Sequence, residues 1–185
     1  MEKQIYLVLT QTSSVLSRMI KIFTGAEYNH ISLAFSQDLE PMWSFGRRHP
    51  YNPFWGGFVK EHIKSGTFLR FPKTKCAVLS VAVPEETFFG MKKMVEEMHL
   101  EQHLFGYNFT GLCFAAAGRR FSRKNKFYCS EFIQSVFVKF QIAGSENFET
   151  VVQPSHFLTF PNATLLYRGK LSLYPYQALP VNRIS

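Results

Sequence analysis

The run Lys126-Phe127-Tyr128-Cys129-Ser130-Glu131-Phe132-Ile133-Gln134-Ser135-Val136-Phe137 changes its hydrophobic period partway along. Up to Tyr128 it reads as extended chain. Beyond Cys129, Phe132, Ile133, Val136, Phe137 and Phe140 recur at helical spacing and mark one buried face. A strand that feeds a helix here leaves Cys129 in the first turn, where the positive end of a helix dipole favours a thiolate over a thiol. Far upstream, Tyr28-Asn29-His30-Ile31-Ser32-Leu33-Ala34-Phe35 alternates as a strand does. Ile31, Leu33 and Phe35 share one face; His30, Ser32 and Ala34 share the other. A Cys and a His that meet in a fold make a nucleophile and its base.

The remaining pattern predicts a mixed α and β chain. Ile5 to Leu9 reads as a strand, and Val15, Leu16, Met19, Ile20 and Phe23 as one face of a helix that Gly25 ends. A turn at Gln37 to Pro41 joins the histidine strand to a second one at Met42 to Phe45. Gly46 to Gly66, with two prolines and two internal glycines, reads as an irregular loop. Thr67 to Phe71 and Cys76 to Val83 read as strands. Pro84-Glu85-Glu86 opens a helix whose Phe88, Met91, Met94, Val95 and Met98 face a core. Phe105 to Ala117 is expected to be partly helical, Pro154-Ser155-His156-Phe157 a short capped turn, and Thr164 to Tyr167 and Lys170 to Tyr174 final strands. There is no repeat, low-complexity tract or linker, so 1–185 is read as a single domain.

Composition narrows the function. Hydrophobic residues make up 46% of 185 positions, enough for a sizeable core, and 20 of them are Phe. Such a load fits an aromatic core first and an apolar substrate groove second. The formal charge is +8, and much of it lies in Gly118-Arg119-Arg120-Phe121-Ser122-Arg123-Lys124-Asn125-Lys126, just before Cys129. No nucleic-acid motif accompanies it, so no specific nucleic-acid partner is expected. A solvated basic loop is one reading. The other is a rim that touches an anionic ligand or a membrane surface.

Three widely spaced cysteines exclude a disulfide framework and a zinc site, and they point to a reducing compartment. Cys76 in a strand pattern and Cys113 in an apolar stretch read as buried structural thiols. His99 and His103 are four apart on a helix but have no acidic or cysteine partner to complete a metal site, so neither metal nor cofactor is expected. His156 is a rival base, less well placed because it sits at a helix start. The first apolar run is a strand and not a signal peptide, and no run approaches the roughly 20 apolar residues that span a bilayer. A cytoplasmic protein is expected.

The pair "YNHISLAF" and "FYCSEFIQSVF" resembles the circularly permuted branch of the NlpC-like, papain-fold cysteine hydrolases (YiiX/YaeF-like), to which lecithin:retinol acyltransferase is a distant relative. The resemblance covers most of residues 1 to 160, and Cys-Ser-Glu is its specific part. It implies an α+β, permuted papain-like fold in which a small barrel-like antiparallel sheet packs against helices, with the nucleophile at a helix N-terminus. It implies Cys129 as nucleophile and His30 as general base. The family carries a third polar residue on the strand after the histidine strand, a register that falls on Ser44. Serine is a departure there, which leaves a backbone carbonyl or a water as the alternative orienter. Tyr128 and the Cys129 backbone N–H are the candidates for an oxyanion pocket.

The resemblance implies a cysteine-dependent hydrolase or acyltransferase that works on an amide or ester bond through a thioester, with a small peptide-like or acyl substrate. The alternative is a non-catalytic module on the same scaffold that binds a lipid or an anion.

Overall fold

Strand β1 (Glu2–Gln11) forms where Ile, Tyr, Leu and Val follow one another without a break, and residues 5–10 are buried on both faces. A strand enclosed on both sides has no polar face to alternate with. In the computed structural model, which describes residues 1–12, 27–49, 52–149 and 151–175, β1 lies inside an eight-stranded sheet. It pairs antiparallel with β2 (His30–Ala34) on one side and β5 (Lys75–Pro84) on the other. Outward from β2 come β3 (Met42–His49), β4 (Asn52–Glu61), β6 (Gly106–Tyr107) and β7 (Lys126–Phe127). Outward from β5 comes β8 (Ala163–Lys170). Every pairing is antiparallel except the short β6–β7 pair. The expected helix over Val15 to Phe23 lies outside the described residues.

The sheet is open and its two edge strands do not meet, which corrects the expected barrel-like closure. Two apolar layers cover it. On one face Ile5, Leu7, Leu9, Ile31, Leu33 and Phe45 pack under helices α2 (Glu85–Leu100) and α4 (Cys129–Lys139). On the other, Tyr6, Val8, Ala34, Met42 and Val78 pack against Phe68 of α1 (Gly66–Arg70) and against Leu171 and Tyr174. The Met stripe of α2 is core, as expected: Met91 and Val95 are buried.

Much of the Phe content also goes to the core. Phe45 lies 5.4 Å from Phe58, 5.1 Å from Phe127 and 5.4 Å from Phe132, ring centre to ring centre. These contacts lock the first turns of α4 onto β3 and β4. A second lattice of Phe137, Phe148, Phe157 and Phe160 holds the C-terminal part of α4. Offset and edge-on aromatic pairs add about 0.5–1.5 kcal/mol each beyond their burial.

Three further expectations are corrected. Gly46 to Gly66, read as irregular, is strand over most of its described residues. β3 runs on to His49 and β4 pairs with it from Met42↔Glu61 upward. The glycines that suggested a loop are demanded by neighbours. A Cβ at Gly56 would stand 2.8 Å from the Tyr107 Cβ, and one at Gly57 would stand 2.5 Å from the Arg48 guanidinium. Thr67 to Phe71 is helix α1 and not a strand; Phe68 is its one buried residue. So short an apolar run has no readable period. Finally, β8 is continuous to Lys170, and a 3-10 turn over Leu171–Leu173 replaces the second expected strand.

Candidate functional site

Cys129 is the first residue of α4, and Tyr128 caps the helix in an extended conformation. The Cys-Ser-Glu run is explained by anchoring. Ser130 Oγ donates to the Val152 carbonyl at 2.7 Å. The Glu131 carboxylate accepts from the Tyr128 backbone N–H at 3.4 Å, from Asn108 Nδ2 at 3.2 Å and from Ser122 Oγ at 2.9 Å. One buried carboxylate thus ties the start of α4 to the cap of α3 (Phe109–Ala116) and to the basic loop.

The helix start meets the start of β2. Cys129 stands close enough to the His30 imidazole to raise its proton affinity, and Sγ lies 4.0 Å from the Asn29 carbonyl oxygen. His30 Nε2 lies 3.1 and 3.0 Å from the two carboxylate oxygens of Glu61. A carboxylate can only accept, so Nε2 carries a proton and donates it. Ser32, one residue pair along β2, donates its hydroxyl to Glu61 Oε2 at 2.6 Å. Thiol, imidazole and carboxylate are therefore gathered at one place, with the imidazole oriented by the carboxylate as a base is by a third group.

Glu61 is the residue that sequence reasoning missed. It stands at the end of β4, inside the segment read as a loop. The expected orienter, Ser44, does something else. It is fully buried and its Oγ donates to the Ile31 carbonyl at 2.6 Å. Ser44 holds β2 to β3 and does not touch the imidazole. The carboxylate comes from one strand further out. Residue type was the available signal: a single Glu at the end of a largely apolar stretch, flanked by Lys60 and His62.

The electrostatics are those of a buried ion pair. Burial alone would push the His30 imidazole down. The Glu61 charge, with the interaction with Cys129 and the hydrogen bonds that Nε2 donates to Glu61, outweighs it and holds the imidazole up at about 10. Burial would likewise raise Glu61, but His30, Ser32 and Arg47 together hold its carboxyl below the usual range. The imidazole side chain keeps 18% of its surface exposed and the Glu61 side chain 13%, whereas Cys129 is only 3% exposed.

Two tyrosines stand by the sulfur. Tyr128 is buried and its phenol is pushed up to about 12 by burial and by Glu131 and Cys129. Tyr107, not singled out from sequence, is pushed well above its ordinary value by burial and then by Cys129. It rests on the bare backbone of Gly56. The other cysteines divide. Cys76 is buried, as expected, and its thiol is pushed up to about 12 by that burial. Cys113 is exposed, which corrects its reading as a buried thiol. His99 rests edge-on against Trp43, 5.3 Å between ring centres. No cluster of metal-ligating residues occurs among the described residues. The basic loop is exposed from Arg119 to Asn125, and Phe121 stacks on Phe114 at 5.2 Å.

No family model matches the chain, and no curated protein matches it. No helix among the described residues is long and apolar enough to cross a membrane.

Proposed function

We propose that the protein is a cysteine-dependent hydrolase or acyltransferase of the permuted papain-like type, with Cys129 as nucleophile, His30 as base and Glu61 as the residue that orients the base. The observation that carries this reading is the meeting of the Cys129 thiol, at the start of α4, with the His30 imidazole that Glu61 holds by hydrogen bonds. The proton leaves the thiol for His30, and the sulfur attacks the carbonyl carbon of an amide or ester. The new C–S bond forms as the carbonyl π electrons move to oxygen, to which the Cys129 backbone N–H and the Tyr128 or Tyr107 hydroxyl donate. The C–N or C–O bond then breaks, and the imidazolium proton goes to the leaving group. Water or an amine, deprotonated by His30, resolves the thioester and returns the sulfur.

The test uses a Cys113→Ser background, because the exposed Cys113 reacts on its own. The protein is incubated with a p-nitrophenyl ester and digested for mass spectrometry. An acyl group on Cys129 that forms at least ~100-fold more slowly in His30→Ala supports the reading. Absence of the adduct, or formation indifferent to His30, refutes it.

A second reading is a binding module on the same scaffold. The 3% exposure of Cys129 favours it, since a nucleophile needs a path to its substrate. It predicts no acyl adduct and no alkylation of Cys129 by iodoacetamide in the folded protein.

A further inference from the structure

The strand that carries Glu61 also forms one wall of a second feature. A pocket of about 270 Å³ lies against Glu61, lined among others by Arg47, Arg48, Lys60, His62 and His99. Three of these are permanent cations. The only carboxylate in the lining is Glu61, whose charge is already matched by His30. The pocket therefore holds an excess of positive charge in a recess beside the catalytic chain.

These cations are poorly compensated. The Arg47 guanidinium lies over the Phe71 ring, 5.6 Å from its centre, and among the described residues it has no carboxylate within salt-bridge distance. Lys60 sits over the Trp43 ring at 5.5 Å and likewise lacks an acidic partner. Arg48 lies flat on Gly57 and donates to the carbonyls of Gln102 and Phe105, but its Nε is buried with no partner. His99 Nδ1 is a second buried nitrogen without a partner, on the same wall. Buried polar atoms are almost always satisfied, so two orphans on residues that line one pocket, one of them a guanidinium donor, leave hydrogen bonds that the described residues do not supply. A guanidinium suits the two oxygens of a carboxylate or phosphate.

We infer that this pocket binds the anionic oxygens of the substrate, a carboxylate or a phosphate, and holds the scissile carbonyl of an acidic amide or ester toward Cys129. The inference rests on the function proposed above for its second half, the delivery to Cys129. Its first half, the binding of an anion, stands alone.

The full chain, again with Cys113→Ser, is titrated with inorganic phosphate, acetate and glutarate at an ionic strength fixed with chloride. The arginine Nε–Hε and His99 resonances are followed by NMR. Expected is saturable binding of phosphate or of the carboxylates beyond the chloride baseline, and which anion saturates names the source. Arg47→Gln weakens it at least ~10-fold, about the 1.4 kcal/mol expected of one charge-assisted contact. Lys60→Gln weakens it in the same direction and guards against misfolding of the first variant. Arg123→Gln, on the basic loop and outside the pocket lining, leaves it within twofold. Binding no better than chloride, or binding unchanged in both Arg47→Gln and Lys60→Gln, overturns the pocket. Iodoacetamide labelling of Cys129 in the same samples separates the two ideas. Labelling without anion binding sinks the pocket and spares the enzyme; anion binding without labelling sinks the enzyme and leaves the pocket.

Discussion

The imidazole of His30, the base of the proposed reaction, is defined by what it touches, and each contact has its own measurable signature. With Glu61 replaced by Gln the opposing charge is gone while burial remains, so the imidazole must fall from its raised value toward or below the ordinary histidine range. An NMR titration of the His30 ring in Glu61→Gln is expected to show that downward shift, with the fold unchanged. An unshifted ring would mean that the carboxylate does not hold the proton. Ser44 makes the contrasting case. Its hydroxyl satisfies a buried carbonyl, so Ser44→Ala costs about 1–3 kcal/mol of stability by denaturant titration. The same variant leaves acylation of Cys129 within twofold, because the hydroxyl does not reach the imidazole. A large loss of acylation at unchanged stability would restore Ser44 to the site. Cys129 and His30 were legible because each stands in a short pattern with a clear period: alternation for one, a switch to helical spacing for the other. Glu61 was not, since its strand is broken in sequence by Pro53, Gly56 and Gly57. Those glycines make sense only once Tyr107 and Arg48 are seen lying on them.

Helix α4 and strands β3 and β4 set the distance between sulfur and imidazole, and they do it with aromatic rings. Phe132 leaves α4 one turn beyond Cys129 and packs against Phe45 and Phe58 at 5.4 and 5.5 Å. Removing that ring in Phe132→Ala should cost about 3–5 kcal/mol. It should also loosen the start of the helix, so acylation of Cys129 falls even where the protein remains folded. Thermal unfolding and the acylation rate of the folded fraction check both parts. An intact rate at full stability loss would mean that Glu131, Ser130 and their partners place the thiol unaided. Elements with a long period were foreseen: β1, β5, α2 and α4 stand where the pattern put them. The short ones were not. α1 has five residues and one buried side chain, too little for a period to show. β6 and β7 have two residues each and owe their strand geometry to their neighbours, the pairings Gly57↔Gly106 and Tyr107↔Phe127.

Across the whole molecule, stability follows the ionisation of its buried groups. The His30 proton is bound more tightly in the folded state, so its contribution is fully present below pH 6.5 and is lost as pH rises toward about 10. Glu61 is depressed, so its contribution is present above its unfolded value of 4.5 and is lost as pH falls through the folded one. The pair therefore supports the fold most fully between about pH 4.5 and 6.5. Cys76 adds to the alkaline side, because its buried thiol ionises more readily once unfolded. Denaturant midpoints measured from pH 4 to pH 10 should show a decline above neutrality, and that decline should be shallower in Glu61→Gln. A profile identical in both proteins would deny the pair any share in stability. The openness of the sheet was not legible, because closure depends on how edge strands meet, and no local pattern encodes that.

The 100 residues that separate Asn29 from Cys129 also bear on how the molecule is made. A ribosome releases a chain from its amino end. The histidine and glutamate are thus present in the growing polypeptide well before the sulfur is added. The sulfur follows them, and its enclosure waits for the chain beyond it, since α4 itself and the Val152 carbonyl that anchors Ser130 are added later still.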